Sequence, residues 1–274
     1  MATLNRLQLR LGQDNTFTLI QRYYSHHYIA LYGNSFAENS TLQNESGIYA
    51  GVDLHPWRKW TLAAYADFCY FPWLKYQVSA PSYGGEGMIR LTYNHNEWTK
   101  TSLRYRIKLK EKDYKTDNKK QPDQLLRTHH RLRFQQDFAP ISSLQLNTLA
   151  DYNLLQFANT IHQGAMLTQR ITWKPVKSPI ALFGNVSYFH TDNYDTRISV
   201  YERTLLHTFS FPSYYGHGLH LSTTCQWNIC PQLTFLFHIN HTHYYDRETI
   251  GSGTELIAQP HREDIGIQLK WKSF

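Results

Sequence analysis

Cysteine is scarce in this chain: Cys69, Cys225 and Cys230 are the only three in 274 residues. An odd number without metal-type spacing excludes a disulfide framework or a zinc site as the organising device. Long apolar runs are also missing, and no stretch approaches the roughly 20 residues that a membrane helix needs. No segment repeats its apolar residues at the helical period, and no low-complexity tract or strong internal repeat occurs. The opening Met1-Ala-Thr-Leu-Asn-Arg6 lacks the basic-then-apolar layout of a secretory leader, so export would imply a leader outside this sequence. Acids are the minority charge, 21 against 28 Lys and Arg, for a net +7. That balance suits a nucleic-acid or acidic-surface binder, or a basic cavity.

Aromatics are plentiful, with 20 Tyr and 7 Trp, yet the mean hydropathy of −0.54 is polar. Period-two alternation reconciles the two. In Ser102–Lys110 the odd positions are Leu103, Tyr105, Ile107 and Leu109, while the even ones are Arg104, Arg106, Lys108 and Lys110. Successive side chains of a strand point to opposite faces, so one face is apolar and the other cationic. Similar alternation predicts strands over 3–11, 16–25, 45–54, 60–71, 85–94, 98–111, 126–137, 143–155, 161–173, 179–190, 196–202, 204–211, 217–229, 232–245 and 263–273. Many approach the 9–11 residues of a tilted membrane-crossing strand, beyond the usual five or six of soluble sheets.

Short and long connections alternate. Tight turns are expected at Gly12–Asn15, His55–Lys59, His95–Glu97, Ala139–Ser142, Lys174–Ser178, Glu202–Arg203 and Cys230–Pro231. Longer polar ones fall at 26–44, 72–84, 112–125, 191–195 and 246–262, with shorter members at 156–160 and 212–216. The charged stretch Lys108–Lys120 reads as a solvated loop at a strand end. Short turns on one side and long loops on the other describe an outer-membrane barrel. Trp57, Trp60, Trp98, Trp173, Trp227 and Trp271 lie near tight turns or the C-terminus, and only Trp73 lies near a long loop. Tryptophan favours the membrane–water interface, so the six predict an aromatic girdle.

The apolar parity set includes Leu7, Leu9, Ile48, Leu62, Ile89, Leu132, Leu182, Phe235, Ile267 and Trp271 and carries no charge. Lys or Arg on a lipid-facing strand costs about 2–4 kcal/mol at the bilayer midplane, which accounts for that exclusion. The opposite set is too charged for a dry core. Its Arg90, Arg104, Arg106, Lys108, Arg131 and Arg133 sit on three consecutive segments and predict a continuous basic patch, joined by Arg170 in the wet lumen. Such a wall either favours anions or pairs with Asp53, Asp67, Asp151 and loop acids.

Signals for chemistry are weak. His26-His27, His129-His130, His238, His241 and His243 lack convergent carboxylate or cysteine spacing, so no metal is expected. Gly216-His-Gly218 and Gly251-Ser-Gly253 lack the context of phosphate loops and read as turns. His217 near Ser213 is not marked as a catalytic pair. No enzyme activity, catalytic residue or cofactor is expected.

The segments Arg197-Ile-Ser-Val-Tyr-Glu202, Phe211-Pro-Ser-Tyr-Tyr-Gly-His-Gly218, Gly251-Ser-Gly-Thr-Glu-Leu-Ile257 and Ile265-Gly-Ile-Gln-Leu-Lys-Trp-Lys272 resemble the closing strands of a family of Gram-negative outer-membrane barrel proteins, the helix-hairpin-helix domain-containing proteins. The resemblance covers about residues 180–274, and this chain has no helix-hairpin-helix segment, so it implies no nucleic-acid role. It implies an outer-membrane location, contact with outer-membrane lipid and lipopolysaccharide, and delivery by the barrel-assembly machinery. A terminal Phe is the usual assembly signal, and Phe274 supplies one, although Ser273 sets it on the opposite parity from Trp271.

The sequence therefore predicts an all-β, antiparallel transmembrane barrel of about 14–16 strands, a single domain over 1–274 that forms the C-terminal portion of a larger barrel protein. Its expected role is a porin-like or transport channel with an arginine-rich lumen favouring anionic solutes. One rival is a non-conducting scaffold whose long loops bind a partner. Another is a soluble basic β protein that stacks nucleic acid on Tyr and His.

Overall fold

A computed structural model describes residues 1–30, 33–115 and 119–272. Thirteen strands form the main sheet: β1 (Ala2–Leu11), β2 (Asn15–Tyr24), β3 (Glu45–Trp57), β4 (Trp60–Phe71), β5 (Ser82–Asn94), β6 (Thr99–Tyr114), β7 (Asp123–Ile141), β8 (Leu144–Phe157), β9 (Thr160–Trp173), β10 (Ile180–Thr191), β13 (His217–Cys230), β14 (Leu233–Tyr244) and β15 (His261–Trp271). Two short strands, β11 (Ile198–Ser199) and β12 (Ser213–Tyr214), form a separate pair. Among the described residues helix is confined to two single 3-10 turns, Tyr194–Thr196 and Gly253–Glu255. The chain is all-β, as the alternation requires.

Strands follow one another in chain order, except that β10 pairs directly with β13. The expected spanning strands 196–202 and 204–211 are thus corrected to one folded-back connection, and the main sheet has 13 strands rather than 14–16. Among the described residues β1 and β15 do not pair, so hydrogen bonds do not close the sheet. The alternation of connections survives, because 192–216 is a single long one. The exception is the two-residue turn at Ala158 and Asn159, with φ 48° and 62°, a left-handed pair suited to a tight hairpin. The expected solvated loop after Lys108 is also corrected, since β6 runs on to Tyr114. Residues 116–118 of that stretch, together with Ser273 and Phe274 of the expected assembly signal, lie outside the described residues.

Register sets the faces. Leu7 opposes Leu19, Ile48 opposes Phe68 and Leu62 opposes Leu91; on later strands Val186 opposes Leu221 and Phe237 opposes Ile267. A bulge between Leu54 and Trp57 brings Trp57 opposite Trp60, their rings 6.4 Å apart edge to face. Side chains on this apolar face stay exposed, Ile267 at 65% and Phe68 at 61%. Burial lies on the polar face, at Arg22, Glu45, Thr168, Ser187 and Thr224.

The chain divides into two compact units. The first comprises 1–93, 102–132 and 154–161. There the connection after β2 is drawn onto the polar face, and Asn44 holds the next long connection by accepting from Trp73 N and donating to Trp73 O, both at 2.7 Å. The second comprises 94–101, 133–153 and 162–274. Its core is a polar-face cluster of Met166 and Phe189 from the sheet with Ile198, Val200 and Tyr214 from 192–216. Fully burying side chains of this size stabilises by about 1.5–3 kcal/mol each, enough to hold the connection against the sheet. Gly164 makes the approach possible, because a Cβ there would stand 2.8 Å from Thr196 O.

Candidate functional site

In the first unit Arg22, buried on β2, spans two acids. Its Nε is 2.5 Å from Glu45 Oε1, and its two terminal nitrogens donate to Asp67 at 2.7 and 3.1 Å. Gly47 leaves the room, since a Cβ there would lie 2.6 Å from the guanidinium carbon. Glu45 also accepts from the backbone N–H groups of Glu38 and Asn39 at 2.9–3.0 Å, which fixes their connection to the polar face. Glu38 then lies 2.8 Å from Lys108 and 2.6 Å from Lys110. Burial alone would raise the Glu38 carboxyl, but these two ammonium groups outweigh it and hold its pKa below the ordinary 4.5. Glu86 takes Arg106 at 2.5 Å and Lys108 at 3.2 Å, and accepts from the Tyr65 hydroxyl.

The predicted basic residues of this unit all stand at polar-face positions, but their surroundings differ. Arg106 and Lys108 are neutralised by Glu86 and Glu38. Arg131 donates to His129 at 3.4 Å, and Arg90 is exposed to solvent. Arg104 shares the parity of Arg106 and lies half-buried.

The second unit places Arg133 and Arg170. Arg133 Nε meets Asp151 at 2.5 Å, and its Nη2 reaches Ser199 O at 3.4 Å. Further anchors tie down the folded-back connection: Asn153 donates to Arg197 O at 3.1 Å, Thr224 to Arg203 O at 2.9 Å, and Gln268 exchanges two bonds with the Leu206 backbone. Glu202 is the buried centre. It accepts from Tyr214 at 2.6 Å and Asn185 at 3.1 Å, and His220 Nε2 lies 3.1 Å away without hydrogen-bond geometry. Burial and the Glu202 charge push the Tyr214 phenol far above its ordinary pKa, so it remains a donor.

Beside this segment lies a cavity of about 680 Å³ whose wall includes Trp98, Asp137, Arg170, Lys174, Asn185 and Arg203. Lys174 and Arg203 cover the Phe183 ring at 5.2 and 3.6 Å. Arg203 donates to Gln226 at 3.1 Å, while Arg170 Nε and Asn185 Oδ1 are buried without a hydrogen-bond partner. Among the described residues no ion pair reaches Arg170, Lys174 or Arg203. Glu97, Asp137 and Glu202 share the same wall, so carboxylates and these cations line the cavity side by side without pairing.

The tryptophans also divide by unit. Trp57 and Trp60 stand together at one turn of the first. In the second, Trp173, Trp227 and Trp271 share the parity of exposed Ile171, Leu221 and Leu269, whereas Trp98 lines the cavity. Among the described residues no group of three or more His, Cys, Asp or Glu is placed to hold a metal ion, and all three cysteines are free.

Sequence reasoning missed Arg22, Glu86 and the cavity's Lys174 and Arg203. Parity was the available signal for the first two: Arg22 alternates with Leu19 and Gln21, and Glu86 shares the face of Arg90. No protein-family model matches the chain, and no curated protein matches it.

Proposed function

We propose that this chain is a β-barrel of the Gram-negative outer membrane that acts as a porin-like channel favouring anionic solutes. One observation carries the membrane reading: a row of uncharged aliphatic and aromatic side chains stays exposed on one face while arginines and carboxylates are buried on the other. Soluble monomers seldom expose contiguous apolar patches beyond a few hundred Å². A bilayer core covers such a face without cost, and placing charges there would cost about 2–4 kcal/mol each. Anion preference draws on Arg170, Lys174 and Arg203, three of the cavity's cations that form no ion pair among the described residues. The connection 192–216 is the narrowing element in this reading. A non-conducting scaffold is the second reading, favoured by the density of ion pairs around Arg22, Glu38 and Glu86.

Two measurements test the proposal. Purified protein should require detergent or lipid to stay monodisperse, and a stable species without either would refute the barrel. In planar bilayers under a salt gradient the reversal potential should favour anions. A cation-favouring potential would refute the selectivity, and absence of current would select the scaffold.

A further inference from the structure

The two rims of the apolar face in the second unit differ chemically. At the short-turn rim stand Trp173, Trp227 and Trp271, beside turns 174–179 and 231–232 and the end of β15. At the long-connection rim, on the same parity, stand His190, His217, His241, His243 and His261. Register brings the five together: His190 opposes His217, Leu219 opposes His243, Leu221 opposes His241, and His243 opposes His261. Their rings form a continuous row. His190 and His217 are 5.1 Å apart, His217 and Tyr245 5.0 Å, Tyr245 and His243 5.1 Å, His243 and His261 6.4 Å, and His261 and His241 5.8 Å.

Below this row on the same face come Leu219, Leu221, Ile239 and Ile265, so the imidazoles begin where the aliphatic surface ends. The other polar groups around them are few. Tyr188 bonds His217 Nε2 at 2.7 Å, Glu263 bonds His241 Nδ1 at 2.9 Å, and Asp246 accepts from His217 N at 3.1 Å while paired with Arg247. Two exposed acids, Glu263 and the Arg247-paired Asp246, thus stand beside five imidazoles. Tryptophan offers one neutral donor, whereas imidazole offers one N–H when neutral and two with a positive charge when protonated. A rim built from imidazole suits an interface rich in phosphate oxygens, and a tryptophan rim suits an ordinary membrane–water boundary.

We propose that the histidine row is a docking strip for phosphorylated lipid head groups in the leaflet at the long-connection end of the sheet. The inference rests on the membrane reading above. Its chemistry is recognition of a phosphate monoester by several N–H donors at once, with the acyl chains lying against Leu219, Leu221 and Ile265.

The test uses the full chain folded in a nonionic detergent. Binding of a phosphorylated glucosamine-based glycolipid and of its dephosphorylated counterpart is counted by native mass spectrometry. The phosphorylated lipid should bind at least about tenfold more tightly. Replacing all five histidines by Gln should remove most of that preference, and the milder pair His243→Gln with His261→Gln should remove part of it. Trp173→Gln, at the opposite rim, should leave it unchanged. Retained β circular dichroism shows that each variant is folded. Equal binding of the two lipids, an unchanged preference in the folded five-fold variant, or full displacement by millimolar inorganic phosphate would overturn the proposal. So would a variant that loses only self-association or capture of a second protein. Failure of the membrane reading looks different, because the chain would then remain monodisperse without detergent.

Discussion

Both units carry cations on the polar face, and they treat them in opposite ways. In the first, Arg22, Arg106, Lys108 and Lys110 each end on a carboxylate, and one of these, Glu45, also fastens the connection before β3. In the second, Arg133 is paired with Asp151, whereas Arg170, Lys174 and Arg203 line a cavity whose acids, Glu97, Asp137 and Glu202, form no ion pair with them among the described residues. Cation density in the sequence therefore says little about local field. The segment 102–110 is the most basic strand run in the chain, yet much of its charge is cancelled by Glu38 and Glu86. The cations without an ion-pair partner among the described residues lie where the sequence is less conspicuous.

The largest effect should come from breaking the paired side of this contrast. Arg22→Ala leaves Glu45 and Asp67 uncompensated, and removing one partner of a buried pair costs about 3–5 kcal/mol. Denaturant unfolding in detergent should show that loss, whereas Arg170→Gln should cost under about 1 kcal/mol because no ion pair is broken. Similar costs for both would erase the distinction.

Next comes the folded-back connection. Gly164→Val sets a side chain into Thr196 O and Thr191, 2.8 Å from each, and such overpacking costs about 1–3 kcal/mol. Release of the connection would relieve it, so proteolysis within 200–212 and single-channel conductance should both rise. A variant with wild-type proteolysis and current would show that the connection does not narrow the path.

Selectivity sharpens the comparison further. Arg170→Gln and Lys174→Gln should each move the reversal potential toward cations, while the double change Arg106→Gln with Glu86→Gln, which removes both members of an ion pair and leaves the net charge unaltered, should move it less. The reverse order would place the selective field in the first unit.

The smallest effect is a pH response. Glu38 is held below its ordinary pKa, so its contribution is intact above about pH 4.5 and is lost as the pH falls through the lowered value. Hydrogen exchange over 33–44 should accelerate in that acidic range, and Glu38→Gln should remove the acid step. Acceleration beginning well above pH 4.5 in the unmodified chain would contradict the assignment.

The long strands were legible because their alternation is strict: Leu62, Ala64, Ala66 and Phe68, or Ile265, Ile267 and Leu269, admit only one pattern. The stretch around β11 and β12 misled for a physical reason. Ile198 and Val200 alternate with polar neighbours like a lipid-facing strand, but their partners are Phe189 and Met166 on the polar face. Period two reports which residues share a side, not what covers that side. Two cues were present: 196–202 and 204–211 fall short of the roughly 9–11 residues a tilted crossing requires, and Glu202 is a poor residue for such a strand. The ion pairs were less legible, because Glu38 and Lys108 are far apart in sequence and meet only when the connection folds back.

The central claim is that adjacent residues of one strand face lipid and water alternately. In a background with Cys69, Cys225 and Cys230 changed to Ser, single cysteines at Ile267 and at Gln268 of β15 can be labelled with a fluorophore in lipid vesicles. The account predicts that a lipid-soluble quencher acts on the label at position 267 and a water-soluble quencher on that at position 268. Equal quenching of both positions by the water-soluble agent, with the lipid-soluble one without effect, would contradict it.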